Sequence, residues 1–167
     1  MSYTLRFTSN AYQVDKEIAG LLGTLQGKTS SGPLLVRNIE VGLQNARNIC
    51  QRTFERAMDW ADVDFDQQMS AVKWKWKGSS ETLRENGETV TEPRDIVDMG
   101  TLLQSKQRKQ AGRNVVDFEW TADHAELVHD GAAALKSGGY YPARPWTNPT
   151  IEDIDEVIDG ILRNGGK

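Results

Sequence analysis

The sequence has little with which to do chemistry. Its 167 residues include one cysteine, Cys50, and two histidines, His124 and His129. A lone cysteine excludes an intrachain disulfide, and Cys50 falls at an apolar position of a helical pattern, which predicts a buried packing thiol rather than a nucleophile with a positioned base. The histidines stand five residues apart among Asp123, Glu126 and Asp130, whereas two metal ligands on one helix face need a spacing of three or four. The chain has no Gly-x-Ser-x-Gly elbow, phosphate-binding loop or dinucleotide fingerprint. No catalytic residue, metal or cofactor is therefore expected, and the chain reads as a non-enzyme.

Long hydrophobic runs are also missing. None approaches the ~18 residues that a membrane span requires, and Met1 leads straight into a polar, strand-like segment without a signal-peptide pattern. These features predict a soluble protein made in a cytoplasm, with no membrane partner. An excess of positive charge is absent as well, because the formal net charge is −4, against the basic footprint of a general nucleic-acid binder. Residues 1–122 carry sixteen side chains of each sign, while residues 123–167 carry four basic and eight acidic ones. The acidic excess thus lies at the C-terminal end, which is expected to meet a basic partner.

What is present is ordinary globular material: 38% hydrophobic residues, 26% charged residues and only five prolines. The length suits a single domain spanning residues 1–167. Tyr3, Leu5 and Phe7 alternate with polar residues and predict a strand, and Ile18, Leu21, Leu22 and Leu25 predict a short helix weakened by glycines. Ile39, Leu43, Ala46, Cys50, Phe54 and Ala57 recur at helical steps and predict the main core helix. Val72, Trp74 and Trp76 alternate with Lys73, Lys75 and Lys77, which predicts a strand with an aromatic face and a lysine face. Asn86-Gly87 between two polar β-prone segments predicts a projecting hairpin. Strands are expected at about Leu102–Gln110 and Asn114–Thr121, with Val116, Phe118 and Trp120 on one face and Asp117 and Glu119 on the other. Trp74, Trp76, Phe118 and Trp120 are expected to pack on one sheet face against Ile39, Leu43, Ala46 and Cys50. Residues 123–141 sustain no period and read as a long mobile loop, and Ile151, Ile154, Val157, Ile158, Ile161 and Leu162 predict a final helix that starts near Pro149 and Thr150. The fold class is α+β: an antiparallel sheet of about four strands, with the long helix and the C-terminal helix packed on one face.

Three segments carry a resemblance. Val97-Asp98-Met99-Gly100-Thr101-Leu102-Leu103-Gln104-Ser105 is similar to a Val-Asp-Thr-Gly-x-Leu-x-x-Ser motif, with Met99 departing from it. His124-Ala125-Glu126-Leu127-Val128-His129-Asp130-Gly131-Ala132 resembles a Tyr-Ala-x-Tyr-Val-Glu-x-Gly-Thr loop, keeping Ala125, Val128 and Gly131 but neither tyrosine nor the glutamate. Ala143-Arg144-Pro145-Trp146-x-x-Pro149 before a helix matches Ala-Arg-Pro-aromatic-x-x-Pro closely. In this order they resemble the tail-completion family of long-tailed phages, over about Val97–Leu162.

That resemblance implies a structural virion protein of the neck, assembled in the host cytoplasm as a homo-oligomeric ring, hexameric by tail symmetry. It implies as partners an adjacent head-closure or connector protein and a tail tube or terminator protein. Alternatives within the same region are a tail terminator or a head-closure stopper ring. From another class, the lysine face could bind DNA, or touch it passively in a channel, although a strand points lysines and stacking aromatics to opposite sides. The expected interface residues are Lys73, Lys75, Lys77, His124, Val128, His129, Asp130, Gly131, Arg144, Pro145 and Trp146. Arg144 and Trp146 suit either a partner contact or a rigid turn closing the core. Between ring neighbours, the acidic C-terminal third is expected to meet a basic patch of Lys73, Lys75, Lys77, Lys106 and Arg108.

Overall fold

The computed structural model describes residues 2–9, 16–17, 19–20, 33–74, 81–84, 87–91, 93–97, 100–132 and 141–164. The strands are β1 (Tyr3–Thr8), β2 (Glu81–Leu83), β3 (Thr89–Thr91), β4 (Lys106–Gly112) and β5 (Val115–Trp120). The helices are α1 (Pro33–Ser70), α2 (Thr101–Gln104), α3 (Ala125–Asp130) and α4 (Thr147–Arg163).

Alternation decides the sheet. In β5, Val116, Phe118 and Trp120 are buried while Asp117 and Glu119 turn outward, as the sequence pattern requires. β5 is the central strand, antiparallel to β1 with Tyr3 opposite Trp120, and antiparallel to β4 with Lys106 opposite Trp120. On the outer face, Arg6 of β1 grips Asp117 through two hydrogen bonds of 2.7 and 2.8 Å, and Lys109 of β4 pairs with Glu119. The hydrogen bonds from Arg6 hold the Asp117 carboxyl below its ordinary range. β2 and β3 form a separate hairpin in which Gly87 has φ +86°, a conformation glycine adopts without strain.

The main helix includes its expected stripe, but its buried face lies further along the chain. Among the described residues, its burial begins at Thr53 and Phe54 and continues through Ala57, Met58, Ala61, Phe65 and Met69, a stripe at steps of three and four. Phe65 meets Phe118 and Trp120 edge-on, with centroids 5.1 and 5.3 Å apart. The expected partners Ala46 and Cys50 are exposed, and Ile39 and Leu43 are half-buried, because this part of α1 extends beyond the sheet. Cys50 is therefore not a buried packing thiol.

Among the described residues the main sheet has three strands. No glycine or proline falls between Gly42 and Gly78, and α1 runs on past its expected stripe to Ser70. Lys73 lies in a turn, and Trp74 makes one isolated bridge with Arg94. The Lys73 ammonium lies 4.9 Å from the ring centroid of Trp74, so these two side chains do not point apart. Lys75, Trp76 and Lys77 lie outside the described residues, as does most of the helix expected at 15–25, of which 16–17 and 19–20 are helical.

α4 packs on α1 over the same sheet face, burying Ile154. It starts at Thr147, earlier than expected, and Pro149 falls in its first turn, where its missing amide costs no hydrogen bond. Thr150 does not cap it; its hydroxyl donates to Asp64 Oδ2 of α1 at 2.6 Å. Within the segment expected to be a loop, residues 125–130 form α3, and residues 133–140 lie outside the described residues.

Candidate functional site

The three segments that carry the resemblance converge on one corner of the molecule. Gly100 begins α2 with φ +77°, Leu102 buries itself one step on, and the Ser105 hydroxyl donates to the Leu102 carbonyl at 2.7 Å. At α3 the chain reverses at Gly131, where φ is +74°. A Cβ there would come within 2.6 Å of both Tyr141 O and Ala143 N, so only glycine fits. Ala132 and Tyr141 then exchange two backbone hydrogen bonds of 2.9 and 3.0 Å. The Arg144 amide donates to the carbonyls of Val128 and His129, both at 3.0 Å, covering the open end of α3. Val97, Leu102, His124, Val128 and Arg144 line a shared cavity of about 270 Å³, with Tyr141, Arg84 and Arg94 completing the wall.

Behind that corner lies a polar chain inside an aromatic cluster. His129 Nδ1 is 2.5 Å from Asp130 Oδ1, His129 Nε2 is 2.8 Å from Thr147 Oγ1, and Tyr3 Oη is 3.3 Å from the same Thr147 oxygen. With the imidazole neutral, one arrangement pairs every donor with an acceptor. Tyr3 donates to Thr147, Thr147 donates to His129 Nε2, and His129 Nδ1 donates to the Asp130 carboxylate. The Tyr3 ring stacks on His129 with centroids 4.0 Å apart, and Trp146 meets His129 edge-on at 4.8 Å and Trp120 at 5.6 Å. Burial pushes the Tyr3 phenol above its ordinary value, and the Asp130 charge acts in the same direction.

The order carboxylate, imidazole, hydroxyl resembles that of a catalytic triad, but the geometry does not serve one. Thr147 has 0% of its surface exposed, and its oxygen already meets two protein partners, leaving no approach for a substrate. What the chain can do is fix β1, α3 and the start of α4 to one another. Among the described residues, no group of three or more His, Cys, Asp or Glu side chains could hold a metal ion.

The expected interface residues divide by exposure. Val128, His129, Arg144 and Trp146 are buried, with Arg144 1% and Trp146 0% exposed, so they belong to the interior of the subunit. Arg144 lies with its guanidinium 4.7 Å from the Tyr141 ring centroid. Lys73, His124 and Asp130 are exposed, and Gly131 and Pro145 half-buried. Of the expected basic patch, Lys106 and Arg108 are engaged within the subunit. Lys106 is bound by Asp62 at 2.7 Å and Asp66 at 2.6 Å, and Arg108 by Asp59 at 2.6 Å, all on α1.

Sequence reasoning missed that seam, although its signs are present. Asp59, Asp62 and Asp66 recur at helical steps in a stretch with no basic residue, and Lys106 and Arg108 share one face of a strand. It also missed Tyr3 and Thr147, whose pairing across 144 positions no local pattern announces. No helix among the described residues is long and apolar enough to cross a membrane. No family model, curated protein or solved structure matches the chain.

Proposed function

We propose that this chain is a structural subunit of a phage virion, one copy of a ring at the neck that completes the tail and joins it to the head. The observation that carries this reading is the convergence of the three segments. Residues distant in sequence, Leu102, Val128 and Arg144, line a single cavity, and the segments of Val128 and Arg144 are tied by backbone hydrogen bonds around Gly131. A resemblance confined to scattered short motifs gains weight when those motifs form one structural unit, because their order and spacing then have a common physical cause. The role so proposed is that of a shape-bearing subunit acting without turnover, with copies of itself and the adjoining neck and tail rings as partners.

DNA binding through the lysine face of Lys73, Lys75 and Lys77 is the less favoured reading, because the cations that would extend it are engaged within the subunit, Lys106 and Arg108 by aspartates of α1 and Lys109 by Glu119. The test is genetic and compositional. Particles made without this chain should accumulate as unjoined heads and tails, and mass spectrometry of complete particles should find it at ring stoichiometry. Joined, infectious particles that lack it would overturn the proposal.

A further inference from the structure

From Arg37 to Arg52, no residue of α1 is buried, a stretch of about 24 Å at the helical rise. It nevertheless continues the stripe of the core helix, since Ile39, Leu43, Ala46 and Cys50 share a face with Phe54 and Ala57. Where this stripe leaves the core, a groove of about 370 Å³ opens between α1, the end of β1 and α4, lined by Phe7, Cys50, Phe54, Ile154, Ile158 and Leu162. The two surfaces differ in charge. Between Pro33 and Met58, α1 carries four arginines and two glutamates, whereas α4 carries Glu152, Asp153, Asp155, Glu156 and Asp159 against Arg163 alone. All five α4 carboxylates are exposed, and Asp155 stands on the groove itself.

We infer that the first half of α1 in one copy docks in the α1–β1–α4 groove of the next copy, forming the head-to-tail contact of the ring. The inference rests on the ring reading above and names its surfaces. Two different surfaces, one basic and projecting, the other acidic and concave, make a heterologous contact that can repeat around a circle. Pairing two projecting halves with each other would set arginine against arginine and leave both grooves empty. The acidic C-terminal end thus meets a basic partner, the projecting half of α1 in place of Lys106 and Arg108. Charge steers the encounter, and the apolar stripe on the apolar groove supplies burial.

Cys50 lies in the groove and is the sole native thiol, which makes the contact directly measurable. Particles are prepared with the wild-type chain, with Ile39→Cys, and with Ile39→Cys in a Cys50→Ser background, then treated with a short bis-maleimide, which cannot span the roughly 16 Å between positions 39 and 50 of one helix. Ile39→Cys beside native Cys50 should give a ladder of cross-linked multiples, and neither single-thiol chain should form one. A cross-linked dimer of the Cys50→Ser chain would show two-fold pairing of the projecting halves and overturn the inference. Protection of Cys50 from a maleimide in the free monomer would overturn it too, since the groove would then be covered within the subunit. Particles that hold the chain at ring stoichiometry but give no ladder overturn the docking and leave the ring intact. Particles without the chain overturn both.

Discussion

Thr147 Oγ1 stands 2.8 Å from His129 Nε2 and receives the Tyr3 phenol from the other side at 3.3 Å, so one buried hydroxyl ties the first strand, α3 and the start of the last helix together. Thr147→Val keeps the shape and removes the oxygen, leaving a buried imidazole nitrogen and a phenol without their shared partner. The expected loss is about 2–3 kcal/mol in urea unfolding, from the desolvation of groups left unpaired, with Thr147→Ser restoring most of it. Equal stability of the Thr147→Val variant would show that the contacts are incidental to the packing around them.

A second expectation concerns Gly131, where a positive φ coincides with two backbone atoms 2.6 Å from the position of a Cβ. Backbone atoms cannot swing aside as a side chain can, so Gly131→Ala must separate the Ala132–Tyr141 bridge or move Arg144 off the end of α3. A loss of about 3 kcal/mol is expected in thermal unfolding. Gly87→Ala, also at positive φ but in open space, is expected to cost only about 1 kcal/mol. The contrast between the two glycines separates steric from conformational cost.

The third expectation is a pH dependence with a fixed sign. Burial raises the Tyr3 phenol above its ordinary 10.0 in the folded state, so the folded protein holds that proton more tightly than the unfolded chain does. Its contribution to stability is complete below pH 10.0 and is lost as pH rises through the folded value. Urea midpoints measured from pH 9 upward should therefore fall more steeply for the wild-type chain than for Tyr3→Phe. Parallel curves would contradict the assigned cause.

How far the sequence foretold this arrangement depends on the range of the interaction. The strand Val115–Trp120, the hairpin at Gly87, the last helix and the α+β class follow from period and turn chemistry, which are local. The extent of α1 did not, because its apolar stripe from Ile39 to Ala57 continues to Met69, and period alone does not say which half meets a sheet. Trp146 was legible as an anchor, and only packing against Trp120 and His129 decides that it anchors the subunit's own core. Two cations read as part of a docking patch, Lys106 and Arg108, turned out to be partners of aspartates forty or more positions away, a pairing invisible to any local window.

That seam yields the last expectation, since its two cations are not equivalent. Lys106 reaches between Asp62 and Asp66 and also donates to the Asp62 carbonyl at 2.6 Å, with its side chain only 12% exposed. Arg108 meets Asp59 in an open setting, where the carboxylate is 67% exposed and water screens the pair. Lys106→Met keeps the length of the stem and deletes the charge, leaving two carboxylates on adjacent turns of α1 to repel each other and a carbonyl without its donor. A loss of about 1–3 kcal/mol is expected, with partial recovery at high salt as the repulsion between Asp62 and Asp66 is screened. Arg108→Ala should change stability by no more than about 0.5 kcal/mol, the usual scale of an exposed pair. Because α1 runs from this seam to its projecting first half, a weakened seam should also loosen the helix that the neighbouring copy is inferred to hold. Hydrogen exchange in the Lys106→Met subunit should rise across Ala57–Met69, and unchanged protection there would place the stability of α1 in its apolar face alone.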